Sequence, residues 1–441
     1  MLTHSEANFY LDGIKYQSHH FSLPLNYNDH INCDDHKHLL DHVSVYVREL
    51  VKDENKDRDL PYLVYFQGGP GFPAMRPSSN TGWLKCALDQ YRVILLDQRG
   101  TGLSSPITTQ TIQHLDPEQQ AEYLSHFRAD NIVRDAEEIR KHLNIDKWAI
   151  IGQSFGGFCS LTYLSMFPDS LLASYITGGI PSITRHIDDV YHATYQRTLD
   201  KNSEFFSRFP RAQDLCDRIA DALLDNKTVL PNGQIFTVEQ FQQMGICFGM
   251  AGGQEELYFQ LETAFVEVNG QPELSYGFLN YVLGQQAHLT NPLYAILHES
   301  IYCQHSASNW SAHRIRESYP QFNHQKGAPL HFTGEMVYPW FFDQLETLKP
   351  LKEAAELLAA KSDWPNLYNA EQLTKNMVPM AAATYVNDMF VEFDFSRETL
   401  RAIPNSKAWM TSEYEHNGLR VDGEKILSTL ISMAEDIKAI Q

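Results

Sequence analysis

Ser154 lies between two glycines in Gly152-Gln153-Ser154-Phe155-Gly156. An aliphatic hydroxyl is a poor nucleophile near neutral pH. It needs a base within hydrogen-bond reach, and that base needs a carboxylate to hold its tautomer. Downstream, Asp388 follows the apolar run Val378-Pro379-Met380-Ala381-Ala382-Ala383-Thr384-Tyr385, and His416 follows the run Ser406–Thr411. The chain has 19 histidines, but none lies between His331 and His416 and none follows His416, so the base has no rival beyond Asp388. Asp394, in Val391-Glu392-Phe393-Asp394-Phe395, competes for the acid but lies further from the strand end. Together these residues specify acyl transfer. Ser154 attacks a carbonyl carbon, His416 takes its proton, and Asp388 orients the imidazole and stabilises the imidazolium.

Elements must deliver them. Trp148-Ala149-Ile150-Ile151 is a short apolar run that suits a buried strand, and a helical pattern follows through Leu161, Leu164 and Phe167 to Pro168. A strand turning sharply into a helix, with serine at the apex, is the nucleophile elbow of α/β-hydrolases. Gly152 and Gly156 are expected where side chains would collide with the neighbouring strand and helix. Leu60–Phe66 reads as a buried strand running into Gln67-Gly68-Gly69-Pro70-Gly71. A glycine-rich turn at that place supplies half of the fold's oxyanion hole. Pro70 has no N–H, so Gly69 is the expected donor, with the backbone of Phe155 as the second. The chain order Ser154, Asp388, His416, each after a strand, is the order this fold uses.

The rest of the chain predicts an α/β architecture, a mostly parallel central sheet flanked by helices, with an inserted and mainly helical cap. Residues 8–24 read as strand, turn at Asp12-Gly13, and strand; His42–Val51 and Tyr91–Leu96 read as further strands. Residues 117–143 have helical spacing and precede the elbow strand. Asp97 and Arg99, in Asp97-Gln98-Arg99-Gly100, suggest a structural ion pair shaping the loop beside the site. Ala173–Thr177 is another strand. From about 182 to 370 strand-like alternation fades, and helices are expected at Val190–Phe209, Ala212–Leu224, Val238–Met244, Glu255–Val268 and Leu351–Ala360. The division is therefore core 1–181, cap 182–370, and core again 371–441, ending in a helix from about Asp422 to Ile440.

Composition narrows the function. With 441 residues, 43% hydrophobic and 12% aromatic, the chain can bury a large core. No apolar run reaches the roughly 18 residues of a membrane span, and the first residues lack a signal-peptide pattern, which points to the cytoplasm. The net charge of −20 argues against nucleic-acid binding; it reads first as a device for solubility, with a field favouring cationic ligands as the alternative. Six cysteines at irregular spacing, Cys33, Cys86, Cys159, Cys216, Cys247 and Cys303, read as free thiols. No metal-ligand cluster is evident: His19-His20 and His36/His38 read as solvated loop histidines. No cofactor is called for.

With these residues in place, the sequence resembles the prolyl aminopeptidases, or proline iminopeptidases, nearly end to end. The resemblance is carried by Gly68-Gly69-Pro70-Gly71, Asp97-Gln98-Arg99-Gly100, Gly152-Gln153-Ser154-Phe155-Gly156-Gly157, Asp388 and Glu415-His416. The larger bacterial type with a long cap also shares Ser125-His126-Phe127-Arg128-Ala129-Asp130, Phe332-Thr333-Gly334-Glu335-Met336 and Tyr414-Glu415-His416-Asn417-Gly418-Leu419-Arg420. Gln67 stands where the family commonly has histidine. The resemblance implies a serine enzyme that releases an N-terminal proline from peptides. The cationic imino nitrogen of such a substrate requires carboxylates, and the ring a small apolar pocket. By analogy with the family, Glu299 and Glu335 are expected to hold the amino group; the competing reading makes them surface residues of cap helices. A serine esterase or a broader aminopeptidase on the same fold shares the triad, and an esterase needs no carboxylate in the cap. Dehalogenase and epoxide-hydrolase chemistry requires an aspartate at position 154, which Ser154 excludes.

Overall fold

The computed structural model describes residues 1–27 and 41–440. Cys33, His36 and His38 lie outside the described residues. The strands are β1 (Leu2–Ser5), β2 (Phe9–Leu11), β3 (Ile14–Pro24), β4 (His42–Lys52), β5 (Tyr62–Phe66), β6 (Arg92–Asp97), β7 (Trp148–Gln153), β8 (Leu171–Thr177), β9 (Phe265–Val268), β10 (Gln271–Leu274), β11 (Met380–Tyr385) and β12 (Ser406–Thr411). All but β9 and β10 join one sheet in the order β1-β3-β4-β6-β5-β7-β8-β11-β12, with β2 also on β3. From β6 to β12 every neighbouring pair is parallel; β1 to β4 form an antiparallel edge.

A parallel sheet is covered on both faces, and its strands therefore read as continuous apolar runs. In β7 all six residues are buried. Trp148 and Ile150 pack on one face with Ile132, Val133 and Leu161, from helices Ala129–His142 and Phe155–Met166. Ala149 and Ile151 pack on the other with Leu84, Ile426 and Leu430, from helices Gly82–Leu88 and Gly423–Lys438. The alternation follows from the two-residue period of a strand.

Between β8 and β11, Gln240, Met244, Tyr294 and Glu335 line a cavity together with Gly68, Ser154 and His416 from the ends of the sheet. Helices Ile187–Arg208, Ala212–Asp225 and Val238–Gln243 surround an aromatic cluster of Phe205, Phe241, Phe248 and Phe332. Helices Pro292–Leu297 and Lys352–Ala360 instead continue the core of the sheet's own face.

Four expectations are corrected. The segment expected to be helical to Val268 stops at Glu262 and continues as the hairpin β9–β10. Asn269 and Gly270 both take positive φ, 51° and 78°. An Asn-Gly pair is made for such a turn, and the flanking Phe265, Val266 and Val268 favour strand. The single helix expected over 117–143 is two, Pro117–Ser125 and Ala129–His142, broken where Arg128 turns extended. Asp97 and Arg99 do not pair with each other. Asp97 takes Arg76 and the N–H groups of Ala74 and Leu103 (3.0 and 2.9 Å), whereas Arg99 takes Asp135 through two bonds of 2.7 and 2.6 Å. His19 and His20 belong to β3 rather than a loop, facing Glu49 and Glu6. The five described cysteines carry no disulfide. Among the described residues no helix is long and apolar enough to cross a membrane.

Candidate active site

Ser154 caps helix Phe155–Met166 with φ 55° and ψ −126°, in the positive-φ range that non-glycine residues rarely occupy. The surroundings impose it. A Cβ at Gly152 would stand 2.2 Å from the carbonyl oxygen of Gly156, and one at Gly156 would stand 2.0 Å from that of Phe66. The helix therefore abuts β5 and β7 closely enough to force a sharp turn. Ser154 donates its N–H to Thr177 (3.1 Å) at the end of β8, which fixes the apex against the sheet.

Asp388 follows β11 and is 1% exposed; His416 follows β12 and is 4% exposed. His416 Nδ1 and Asp388 Oδ2 are 2.8 Å apart. The second oxygen of Asp388 accepts the N–H groups of Phe390 (2.9 Å) and Val391 (3.1 Å). A carboxylate at Nδ1 keeps the proton there and leaves Nε2 as the base. Burial works against the imidazolium of His416. The charge and hydrogen bond of Asp388 outweigh it, with Glu335 adding in the same direction and Arg420 opposing, so the histidine sits above its ordinary value. Asp394 is exposed and pairs with Arg397 at 2.9 Å.

Ser154 and His416 line one cavity of about 750 Å³, together with Gly68, Gly69, Phe72, Tyr294, Glu335, Trp340 and Arg420. Gly68 lies against Ser154: a Cβ at Gly68 would stand 3.0 Å from Cβ of Ser154. As the first residue of its helix, Phe155 has an N–H without an intrahelical acceptor. Gln67 accepts the Tyr65 hydroxyl (2.9 Å) and, through its carbonyl, the Gln98 amide (2.9 Å), so it braces the loop from behind.

The two cap carboxylates are placed differently. Glu335 lines the cavity and accepts the hydroxyl of Tyr294 at 2.9 Å. Glu299 is buried, and its oxygens accept the N–H groups of Ser311 (3.1 Å) and Ala312 (2.9 Å) at the start of helix Ser311–Arg316. Burial pushes the Glu299 carboxyl up to about 7. Both carboxylates bear on the buried phenol of Tyr191, which burial chiefly and then these charges hold well above its ordinary range.

Sequence reasoning did not find Tyr294 or Lys201. Lys201 binds Glu415, the residue before His416, at 2.6 Å. Nothing local marks either residue, since each meets the site only through the fold of the cap.

Residues 61–244 match the family model described as the alpha/beta hydrolase fold. A proline iminopeptidase of Aeromonas sobria is 54% identical over 433 residues, 98% of this chain and 99% of that one. A proline iminopeptidase of Aspergillus aculeatus is 36% identical over 86% of each chain. A solved proline iminopeptidase of Mycobacterium smegmatis has a TM-score of 0.44 at 13% identity, covering 90% of this chain and 97% of that one.

Proposed function

We propose, for a chain that belongs to the proline iminopeptidases of the α/β-hydrolase fold, that Ser154, His416 and Asp388 release N-terminal proline from peptides through an acyl-enzyme. The observation that carries the mechanism is the Asp388–His416 bond of 2.8 Å, with His416 lining a cavity that also holds Glu335 and a serine at positive φ.

Ser154 Oγ attacks the prolyl carbonyl carbon while Nε2 of His416 takes its proton. The carbonyl oxygen becomes an alkoxide and receives the N–H groups of Gly69 and Phe155, each worth about 3 kcal/mol of barrier. His416 then protonates the leaving amine and the C–N bond breaks. Water, deprotonated by the same imidazole, attacks the ester, and proline leaves as Ser154 regains its proton. Asp388 keeps its charge throughout and stabilises the imidazolium.

Glu335 meets the cationic imino nitrogen, whereas Glu299 is off the cavity wall and turned toward the N–H groups of Ser311 and Ala312. Phe72, Tyr294, Met336 and Trp340 line the cavity and give the pyrrolidine ring an apolar seat. The test is turnover of a proline arylamide, its N-acetyl derivative and a simple aryl ester, with Ser154→Ala as control. Cleavage of the free-amine arylamide, loss on acetylation and loss in Ser154→Ala are expected. Hydrolysis of the ester alone would overturn the reading.

A further inference from the structure

The cavity is far larger than a proline ring. At about 750 Å³ it falls within the range of sites that hold drug-sized ligands, roughly 300–1,000 Å³. The space beyond the ring must serve the remainder of the peptide. That remainder leaves on the side of His416, because the residue that protonates a leaving amine must stand beside it.

Among the described residues, only two of the lining side chains are Asp, Glu, Lys or Arg: Glu335 and Arg420. The lining histidine His288 is held neutral, its value lowered by burial to about 4. Arg420 lies in the short helix Gly418–Val421 directly after His416. In a chain of net charge −20, a cation on this wall without a carboxylate is unexpected. Its neighbours in sequence are engaged elsewhere: Asp422 accepts the Tyr414 hydroxyl (2.7 Å), Glu413 binds Lys425 (2.8 Å), and Glu424 binds Lys85 (3.1 Å). Among the described residues no ion pair involves Arg420. A planar guanidinium with free N–H groups is built to take a carboxylate.

We propose that Arg420 binds the C-terminal carboxylate of short substrates, so that the cavity recognises dipeptides and tripeptides at both ends, Glu335 holding the imino group and Arg420 the carboxylate. The inference rests on the catalytic reading above. An extended residue spans about 3.3–3.6 Å, so one or two residues beyond the scissile bond bring the carboxylate a few ångströms past His416. Arg420 is exposed, so water and salt moderate the contact, and its effect is one of preference rather than of all-or-none selection.

The experiment compares kcat/KM for Pro-Leu and Pro-Leu-NH2, with prolyl arylamide alongside, in the wild type and in Arg420→Gln and Arg420→Lys. The amide carries the same leaving residue without the negative charge. The wild type is expected to prefer the free acid by about fivefold to tenfold, the scale of one charge-assisted hydrogen bond in partial contact with water. The preference should fall as salt is raised, fall to about 1 in Arg420→Gln, and survive in part in Arg420→Lys. Equal rates for acid and amide in the wild type would overturn the inference without any variant, and so would a preference that Arg420→Gln leaves intact. Proline release from none of the three substrates would sink the catalytic reading, and this one with it.

Discussion

Asp388 divides its two oxygens between two tasks, and that division separates it from its rival. One oxygen is held by the N–H groups of Phe390 and Val391, and the other is left to His416. Asp388→Asn keeps the volume but removes the charge that fixes the imidazole tautomer. It should lower kcat by about 10⁴-fold, as loss of the orienting carboxylate does in a serine triad. Asp394→Asn breaks only an exposed pair with Arg397 worth about 0.3–0.5 kcal/mol and should leave kcat/KM within about twofold. A larger loss in Asp394→Asn than in Asp388→Asn would reverse the assignment. The same charges set the pH profile. His416 must be neutral to act as base, so activity disappears as pH falls through its value, which lies above the usual 6.5. On a neutral aryl ester, where no substrate amine titrates, the acid limb of kcat/KM should therefore lie above 6.5. In Glu335→Gln it should move to lower pH, because Glu335 is among the charges that raise His416. An unmoved limb would mean that the field of Glu335 does not reach the imidazole.

Elements hold these residues through groups that a single sequence marks unevenly. Arg128 begins helix Ala129–His142, is 1% exposed, and among the described residues has no carboxylate on its guanidinium. It donates instead to the carbonyls of Ser300 (3.1 Å), Cys303 (2.9 Å) and Pro365 (2.9 Å) and lies 4.5 Å from the Trp364 ring. Arg128→Met would strand three buried acceptors. It should cost about 2–4 kcal/mol in the first urea unfolding transition, in line with removing a buried charged donor. A shift under half of that would show that water replaces the guanidinium. Glu299 makes a pH-dependent contribution of opposite character to a salt-bridged acid. Its folded value is raised to about 7, so folding takes up a proton between the ordinary carboxyl value of about 4.3 and about 7. Stability from this group is greatest below that window, falls as pH rises through it, and is level above. The drop in Tm between about pH 5 and about pH 8 should be smaller in Glu299→Gln than in the wild type, and an equal drop would place the titration elsewhere. The elbow, the Gly68-Gly69 turn and the strand ends were legible because they are local: glycine marks steric contact, and apolar runs mark buried strands. The partners of Asp97, Arg99 and Arg128 were not, because each lies across the fold. The β9–β10 hairpin was signalled by Asn269-Gly270, and a helical reading of the residues around it obscured that signal.

At the scale of the whole molecule, the base is suspended from the cap as well as from the sheet. His416 donates its N–H to the carbonyl of Gly249 (3.1 Å), and Asn417 accepts that of Ala251 (3.0 Å). Lys201, on cap helix Ile187–Arg208 and 5% exposed, binds Glu415 at 2.6 Å. One loop, Glu415–Asn417, thus ties His416 to the helical segment between β8 and β11. The roles of Glu335 and Lys201 separate by substrate. If Glu335 holds the imino cation as proposed, Glu335→Gln should depress turnover of prolyl arylamide and spare kcat on a neutral aryl ester. Lys201 acts through the position of His416, which both substrates need. Lys201→Met should therefore lower kcat on both by about 10- to 100-fold, the scale of a misplaced catalytic group, with KM little changed. Lys201→Arg, which keeps the charge, should restore part of it. If Lys201→Met instead lowers only Tm and leaves kcat on the ester intact, the bond to Glu415 fastens the cap without placing the base, and the sheet alone positions His416.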